Sequence, residues 1–344
     1  MRLAALTSLR LGGSAERVVT AETDDELVGA VRDRPTLLLA GGSNVVLADE
    51  DLPGTVVLVR TRGIAIRGDV LECAAGEPWD EVVAHAVEHG LAGIECLSGI
   101  PGSTGATPIQ NVGAYGQDVS QTIAWVRAYD READAVRTMS PAECAFEYRH
   151  SVFKYHDRWT VLGVGFRLRE SEVSGPLTYA ELCRTLGIPV GGVAPLAEVR
   201  EAVLGLRRGK GMVIDAADPD SVSAGSFFTN PVLGPHAFAA LEARAAERLG
   251  PDARVPRFPQ PDGTVKTSAA WLIERAGFPR GHGDPSTVAI SAKHTLALTN
   301  RGGGTTDQLV ALAREIAGGV RAAFGVELEP EPVFVGHAWA QPSR

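Results

Sequence analysis

Apolar residues along this chain recur with a strand period in some places and a helix period in others, and the N-terminal part reads β-α-β. Residues 17–20 and 36–40 are short β-rich runs. The capping box Thr23-Asp24-Asp25-Glu26 opens a helix between them, because it satisfies orphan N–H groups from both ends. Residues 55–59 and 70–74 predict further strands. In 80–88, Val82, Val83, Ala86 and Val87 form one helical stripe that stops at Gly90. A glycine-rich stretch follows, then strands at 123–129 and 135–139. Ser140-Pro141-Ala142-Glu143 starts another helix, with Pro at the first helical position, and 159–168 is a long apolar strand.

After Gly175 the character changes. Residues 196–206 read as a helix, 207–211 as a basic turn, and 215–223 as a polar, acidic boundary loop. Residues 235–249 and 267–276 are helical and 287–299 β-rich. Thr305-Thr306-Asp307-Gln308 caps an amphipathic helix carrying Leu309, Leu312, Ile316, Val320 and Phe324, ended by Gly325. The whole is α+β, without internal repeats or low-complexity tracts.

At 344 residues the chain has room for two or three domains, each with its own core. A net charge of −9 argues against a nucleic-acid partner, which would demand a basic phosphate-binding surface. Anionic small molecules remain open wherever Lys and Arg gather locally. Cys73, Cys96, Cys144 and Cys183 are scattered, with no C-x-x-C pair and no His at metal spacing. They read as buried free thiols in a reducing compartment, and no metal is expected. Arg2 and Arg10 bracket too short an apolar run for a signal peptide, and no run approaches the roughly 20 apolar residues of a membrane span. The expectation is a cytoplasmic protein with no membrane partner.

Chemistry concentrates in residues 99–116, which hold five glycines and two prolines among small, hydroxyl- and amide-bearing residues. Glycine lets backbone approach a ligand and turn through positive φ, so that successive N–H groups converge on one anion. Ser103, Thr104, Thr107, Gln110 and Asn111 add neutral donors there. The stretch is either a ligand clamp or a long structural loop. A second glycine loop, Gly41-Gly42-Ser43-Asn44, follows the strand at 36–40, a placement where backbone N–H groups commonly cradle phosphate. Together the two suggest clamps on one pyrophosphate. Two familiar templates fail. Gly163-Val164-Gly165 lies inside a strand and lacks a third glycine, and Lys210 is followed by Gly211 rather than Ser or Thr.

Three polar residues sit in unusual company. Arg149, flanked by Phe146, Tyr148 and Phe153, is suited either to bidentate capture of a carboxylate or to packing its stem over the rings. Ser226 leads into Phe227-Phe228 without a G-x-S-x-G elbow, so it is a turn serine or a non-hydrolytic functional group. Glu331 precedes an apolar run and is confined to extended geometry by Pro332, and reads as either a surface residue or a functional one.

Taken together, the blocks 41–44, 99–116, 148–154, 225–231 and 328–331 resemble, in order, the UDP-N-acetylenolpyruvoylglucosamine reductase (UDP-N-acetylmuramate dehydrogenase) family. The resemblance runs almost end to end. It implies an FAD-binding domain of the vanillyl-alcohol-oxidase type in two subdomains, residues 1–67 and 68–212. A substrate-binding domain at 213–325 and a C-terminal strand at 326–344, returning to the FAD domain and active site, would follow. FAD would lie extended with its pyrophosphate on Gly41, Gly42, Ser43, Asn44, Gly102, Ser103, Thr104 and Thr107. Ile109, Gln110, Asn111, Gly113, Ala114, Tyr115, Gly116, Val161 and Arg207 would complete the cofactor site. Thr178-Tyr179 is similar to the family's tyrosine loop, so Tyr179, Lys210, Asn230 and His294 would contact the sugar nucleotide.

The implied reaction takes hydride from NADPH through flavin to the enolpyruvyl β-carbon. Negative charge then builds on the α-carbon and its carboxylate. Arg149 and a protonated Glu331 would stabilise that charge, and Ser226 would protonate the α-carbon. A monomer is implied, as is a role in peptidoglycan precursor synthesis. The chain departs from the family pattern at Leu9, in place of phenylalanine, and at Pro332, in place of an aliphatic residue. The rival readings are another flavoenzyme of the same fold and a non-catalytic sugar-nucleotide sensor.

Overall fold

The computed structural model describes residues 1–339, and the chain forms two compact units. The first comprises Met1, Ala15–Gly42 and Pro53–Val213; the second comprises Arg2–Ser14, Ser43–Leu52 and the chain from Ile214 onward. The 1–67 span is thus shared by the two units. Residues 340–344 of the 326–344 span lie outside the described residues.

The first unit begins with the β-α-β run that its pattern predicts. Strand Ala15–Ala21 leads to helix α1 (Asp24–Arg32) and then to strand Leu37–Leu39, which pairs in parallel with Val56, Val57 and Leu58. The Thr23 hydroxyl accepts from the Glu26 N–H and the Glu26 carboxylate accepts from the Thr23 N–H, both at 3.2 Å. Two orphan donors at the helix start are satisfied in this way. A five-stranded antiparallel sheet follows, in the order Ala135–Met139, Ile123–Asp130, Trp159–Arg167, Val70–Ala74, Ile64–Arg67. Leu27 and Val31 of α1 share one core with Val126, Val164 and Phe166 of that sheet. Val82, Val83 and Ala86 of α2 (Trp79–Glu88) complete it. Trp79 is fully buried, and its indole N–H donates to the Leu97 carbonyl at 3.1 Å.

Helix α3 (Pro141–Cys144) carries the expected capping box at Ser140. Helices α4 (Ala180–Leu186) and α5 (Leu196–Gly209) pack on Cys96 and Leu177 in a smaller cluster. The basic turn expected at 207–211 is corrected here, because α5 continues through Gly209 and puts Arg207 and Arg208 in its last turn. Arginine is a good helix former, and a cation is favourable at a helix C-terminus.

One charged group in this unit sets an acid limit. The Asp130 side chain is wholly buried, takes Arg158 Nε and Nη2 at 3.0 and 2.7 Å, and caps the Glu132 and Ala133 N–H groups. The Arg158 hydrogen bonds above all hold its pKa at about 2, against an unfolded value of about 3.9. The folded pKa is depressed, so this contribution is complete above about pH 4–5 and is lost as pH falls toward 2. Asp130→Asn should therefore lower the melting temperature at neutral pH and flatten its decline below about pH 4. A variant whose acid profile parallels the parent's would exclude this role.

The second unit has its own core. A three-stranded antiparallel sheet runs in the order Ser223–Ser226, Ala297–Asn300, Val288–Ile290. Helices α6 (Pro235–Leu249), α7 (Ala269–Ala276) and α8 (Thr306–Phe324) belong to the same unit. Leu309, Leu312, Ile316, Val320 and Phe324 of α8 are all buried and share one cluster with Phe238, Leu272, Ile290 and Leu298. Leu9 and Val46 join that cluster from the N-terminal segments. Strand Val333–Val335 pairs in parallel with Val45–Leu47, so the end of the described chain lies against a segment almost 300 positions earlier. All four cysteines are buried and free. No helix among the described residues is long and apolar enough to cross a membrane.

Candidate functional site

In the first unit the two glycine loops touch. A Cβ placed on Gly41 would lie 2.5 Å from Gly102 Cα and 2.8 Å from its carbonyl carbon, so only glycine fits at that crossing. The Gly102 and Ser103 N–H groups donate to no carbonyl among the described residues, and Gly102 has φ +127°. Two adjacent open N–H groups beside a glycine crossing fit the diphosphate of a dinucleotide cofactor. Three of the loop's side chains also hold the loop itself. The Thr104 hydroxyl donates to the Glu77 carbonyl at 3.0 Å and the Thr107 hydroxyl to the Thr104 carbonyl at 2.8 Å. The Asn111 amide donates to the Glu147 carbonyl at 3.1 Å. These donors brace the loop from within, while the Gly102 and Ser103 N–H groups meet no protein carbonyl among the described residues.

Arg149 is built onto the same loop. Its Nη1 donates to the Asn111 carbonyl at 3.2 Å and its Nη2 to the Gly113 carbonyl at 2.8 Å. Its guanidinium lies 5.4 Å from the Tyr148 ring centroid, and Lys154 Nζ donates to its carbonyl at 2.9 Å. Asn111, Tyr115 and Arg149 all have positive φ, at 45°, 50° and 55°. Left-handed backbone in non-glycine residues costs about 1–3 kcal/mol each and collects at functional sites. Ser151 fixes this segment further by donating to the Ile109 carbonyl at 2.7 Å. Val161 is buried in the central strand of the sheet.

The expected substrate residues of this unit also gather. The Tyr115 and Tyr179 rings meet edge-on with centroids 5.2 Å apart. Lys210 Nζ lies 5.8 Å from the Tyr115 ring and 2.6 Å from Glu181 Oε2. Burial disfavours the Lys210 ammonium, but Glu181 and Tyr115 more than offset this and hold its pKa above the ordinary value. Burial pushes the Tyr115 phenol up. Arg207 is buried and donates to the Met212 carbonyl at 2.8 Å; its desolvation lowers its pKa. Gly116 packs so tightly on Thr178 that a Cβ would sit 2.7 Å from its hydroxyl oxygen. Glu181 was not singled out from the sequence, because the pairing spans two helices and leaves no local pattern.

In the second unit, the strand ending at Ser226 runs directly into the buried pair Phe227-Phe228. The Phe227 N–H donates to the Leu296 carbonyl at 2.7 Å, and the Glu331 N–H donates to the Phe227 carbonyl at 2.8 Å. Glu331 is thereby tied to the residue that follows Ser226. The Asn44 amide donates to the Glu331 carbonyl at 3.3 Å, and the Val333 N–H donates to the Asn44 carbonyl at 3.0 Å. His294 lies in the turn whose Ala297 pairs with Ser226, and its carbonyl accepts from the Ala297 N–H at 3.1 Å. Asn44 and Glu331 are thus bonded to each other, and Glu331 to the residue after Ser226. The Ser226 side chain is half-buried. Asn230 is occupied structurally, its Oδ1 accepting from the Ala269 N–H at the start of α7 at 3.0 Å. The loop 41–44 is divided, with Gly41 and Gly42 in the first unit and Ser43 and Asn44 in the second.

The fold is α+β, with an FAD-binding domain of the vanillyl-alcohol-oxidase type and a separate α+β domain. A family model described as an FAD binding domain matches residues 15–139. Another, the C-terminal domain of UDP-N-acetylenolpyruvoylglucosamine reductase, matches residues 218–335. The chain is 55% identical to UDP-N-acetylenolpyruvoylglucosamine reductase of Thermobifida fusca, over 97% of this chain and 96% of that one. It is 56% identical to the enzyme of the same name from Salinispora arenicola, over 98% and 95%. The fold matches the crystal structure of the Thermus caldophilus enzyme with a TM-score of 0.67 at 23% identity, covering 97% of each chain. The chain belongs to the UDP-N-acetylenolpyruvoylglucosamine reductase family. It is an FAD-dependent oxidoreductase of peptidoglycan precursor synthesis, with NADPH as co-substrate.

Proposed function

We propose that this chain reduces the enolpyruvyl ether of UDP-N-acetylglucosamine to UDP-N-acetylmuramate in the cytoplasm, working as a monomer. The flavin, when bound, supplies a carrier that accepts hydride from NADPH and returns it to the β-carbon of the ether. Gly41, Gly42, Gly102 and Ser103 hold the cofactor diphosphate on backbone N–H groups, while Thr104, Thr107 and Asn111 set the loop's shape. Arg149 meets the substrate carboxylate, where charge grows as hydride arrives. Ser226 gives its hydroxyl proton to the α-carbon. An enol-type carbanion is a strong base, so the donor's position matters more than its acidity. Glu331, protonated, donates a hydrogen bond to the same developing charge. Tyr179 covers the sugar nucleotide, Lys210 and Asn230 hold its diphosphate, and His294 contacts it. The first unit is the cofactor domain, and the second carries the proton donor.

The observation that most supports this reading is the backbone bond that ties Glu331 to Phe227, the residue after Ser226. Half-buried Ser226 ends a strand paired with Ala297, and the Glu331 N–H donates to the carbonyl of the succeeding Phe227 at 2.8 Å. A sugar-nucleotide sensor needs no such donor. Incubation with NADPH and the enolpyruvyl substrate should yield a product that has gained two hydrogens, with one NADPH oxidised per product. Binding of the substrate without NADPH consumption would leave a sensor and reject the proposal.

A further inference from the structure

The glycine loop is held from behind by the first residues of α2. The Trp79 N–H donates to the Gly102 carbonyl at 3.0 Å. The Glu77 carbonyl accepts both the N–H and the hydroxyl of Thr104, at 2.8 and 3.0 Å. The third attachment is charged. Asp80 Oδ1 accepts the Gly99 N–H at 2.5 Å, and the same carboxylate takes Arg200 in a fork, Nη1 to Oδ1 at 2.6 Å and Nη2 to Oδ2 at 2.9 Å. Arg200 belongs to α5, two turns before Arg207 on the same face. Gly99 lies directly on that helix: a Cβ there would sit 2.7 Å from Leu204 and 3.5 Å from the Arg207 side chain. Gly99 also has φ +70°, so the loop enters through a bend that one carboxylate fixes.

We propose that Asp80 and Arg200 are positioning residues for the flavin, holding the loop from Gly99 to Thr104 in the shape that presents its N–H groups to the cofactor diphosphate. The inference rests on that loop being the flavin's cradle. Asp80 alone would place a negative charge behind a loop that binds an anion. The Arg200 fork neutralises it while fixing the carboxylate's orientation. Burial works against the Asp80 carboxylate, but the Arg200 and Gly99 hydrogen bonds more than offset it and hold it below the usual range, so the fork is ionic at neutral pH. Lysine cannot reproduce two parallel bonds from one planar group. Because α5 also carries Arg207 and is followed at once by Lys210, the same fork sets the cofactor loop against that cationic end.

The test is dilution of yellow holoenzyme, following the flavin fluorescence that appears on release, together with turnover at rising concentrations of added FAD. Asp80→Asn and Arg200→Gln should raise the FAD dissociation constant about tenfold or more, the usual consequence of losing a charge-assisted hydrogen bond. Arg200→Lys should fall between them and the parent. Saturating FAD should restore their kcat, which a general folding defect would not allow. Asp69→Asn, which breaks the exposed pair with Arg167 at 2.9 Å, should leave FAD affinity unchanged. Unchanged FAD affinity in Asp80→Asn or Arg200→Lys overturns the inference, as does lost turnover that added FAD does not restore. Gly41→Ala separates the two claims. If it keeps its flavin, the cradle itself is misassigned; if it alone loses flavin, the cradle stands and the fork has no part in it.

Discussion

Ser226→Ala should bleach normally when NADPH is added but should no longer return electrons to the enolpyruvyl substrate. The expected loss in substrate reduction is about 10²–10⁴-fold, the usual contribution of a positioned proton donor, or about 3–5 kcal/mol of activation free energy. The effect should be this selective because the hydroxyl supports nothing else. The register of its strand and the buried Phe227 and Phe228 hold the backbone in place without it. Alanine fits the same strand, so the fold should persist. Rapid-mixing absorbance of the two half-reactions checks this directly, and equal damage to both would remove Ser226 from the proton-donor role.

Gly41→Ala should purify without flavin. The added methyl would lie 2.5 Å from Gly102 Cα, and both partners are backbone, so no rotamer change relieves the overlap. The two loops must part, and the paired N–H groups part with them. Gly29→Ala in α1 is the control, since nothing lies within 4 Å of a Cβ there. Alanine in a helix interior should stabilise by about 0.5–1 kcal/mol and keep the flavin. The ratio of flavin to protein absorbance in the purified variants distinguishes the outcomes. A yellow Gly41→Ala protein would contradict the crossing of the two loops as the cofactor's cradle.

Much of this site was legible in sequence because local chemistry announces itself. The capping boxes at Thr23, Ser140 and Thr305 fix three helix starts, and each depends on residues only three positions apart. The concentration of glycines in 99–116 marks a segment whose backbone must approach something closely. Helix α4 escaped notice because it is only seven residues long and its N-cap, Tyr179, makes no side-chain cap bond. The loop hydroxyls were read as ligand donors because sequence shows their type and not their direction. Thr104 and Thr107 spend theirs on protein carbonyls. Pairings distant in sequence left no trace: Val45–Leu47 with Val333–Val335, Lys210 with Glu181, and Asp80 with Arg200.

The most direct test of the whole account is anaerobic stopped-flow of the purified protein, following flavin absorbance first with NADPH and then with UDP-N-acetylglucosamine enolpyruvate. Bleaching by NADPH followed by rapid reoxidation by that substrate is the predicted result. Bleaching that the enolpyruvyl ether fails to reverse would contradict it and leave a flavoenzyme with another acceptor.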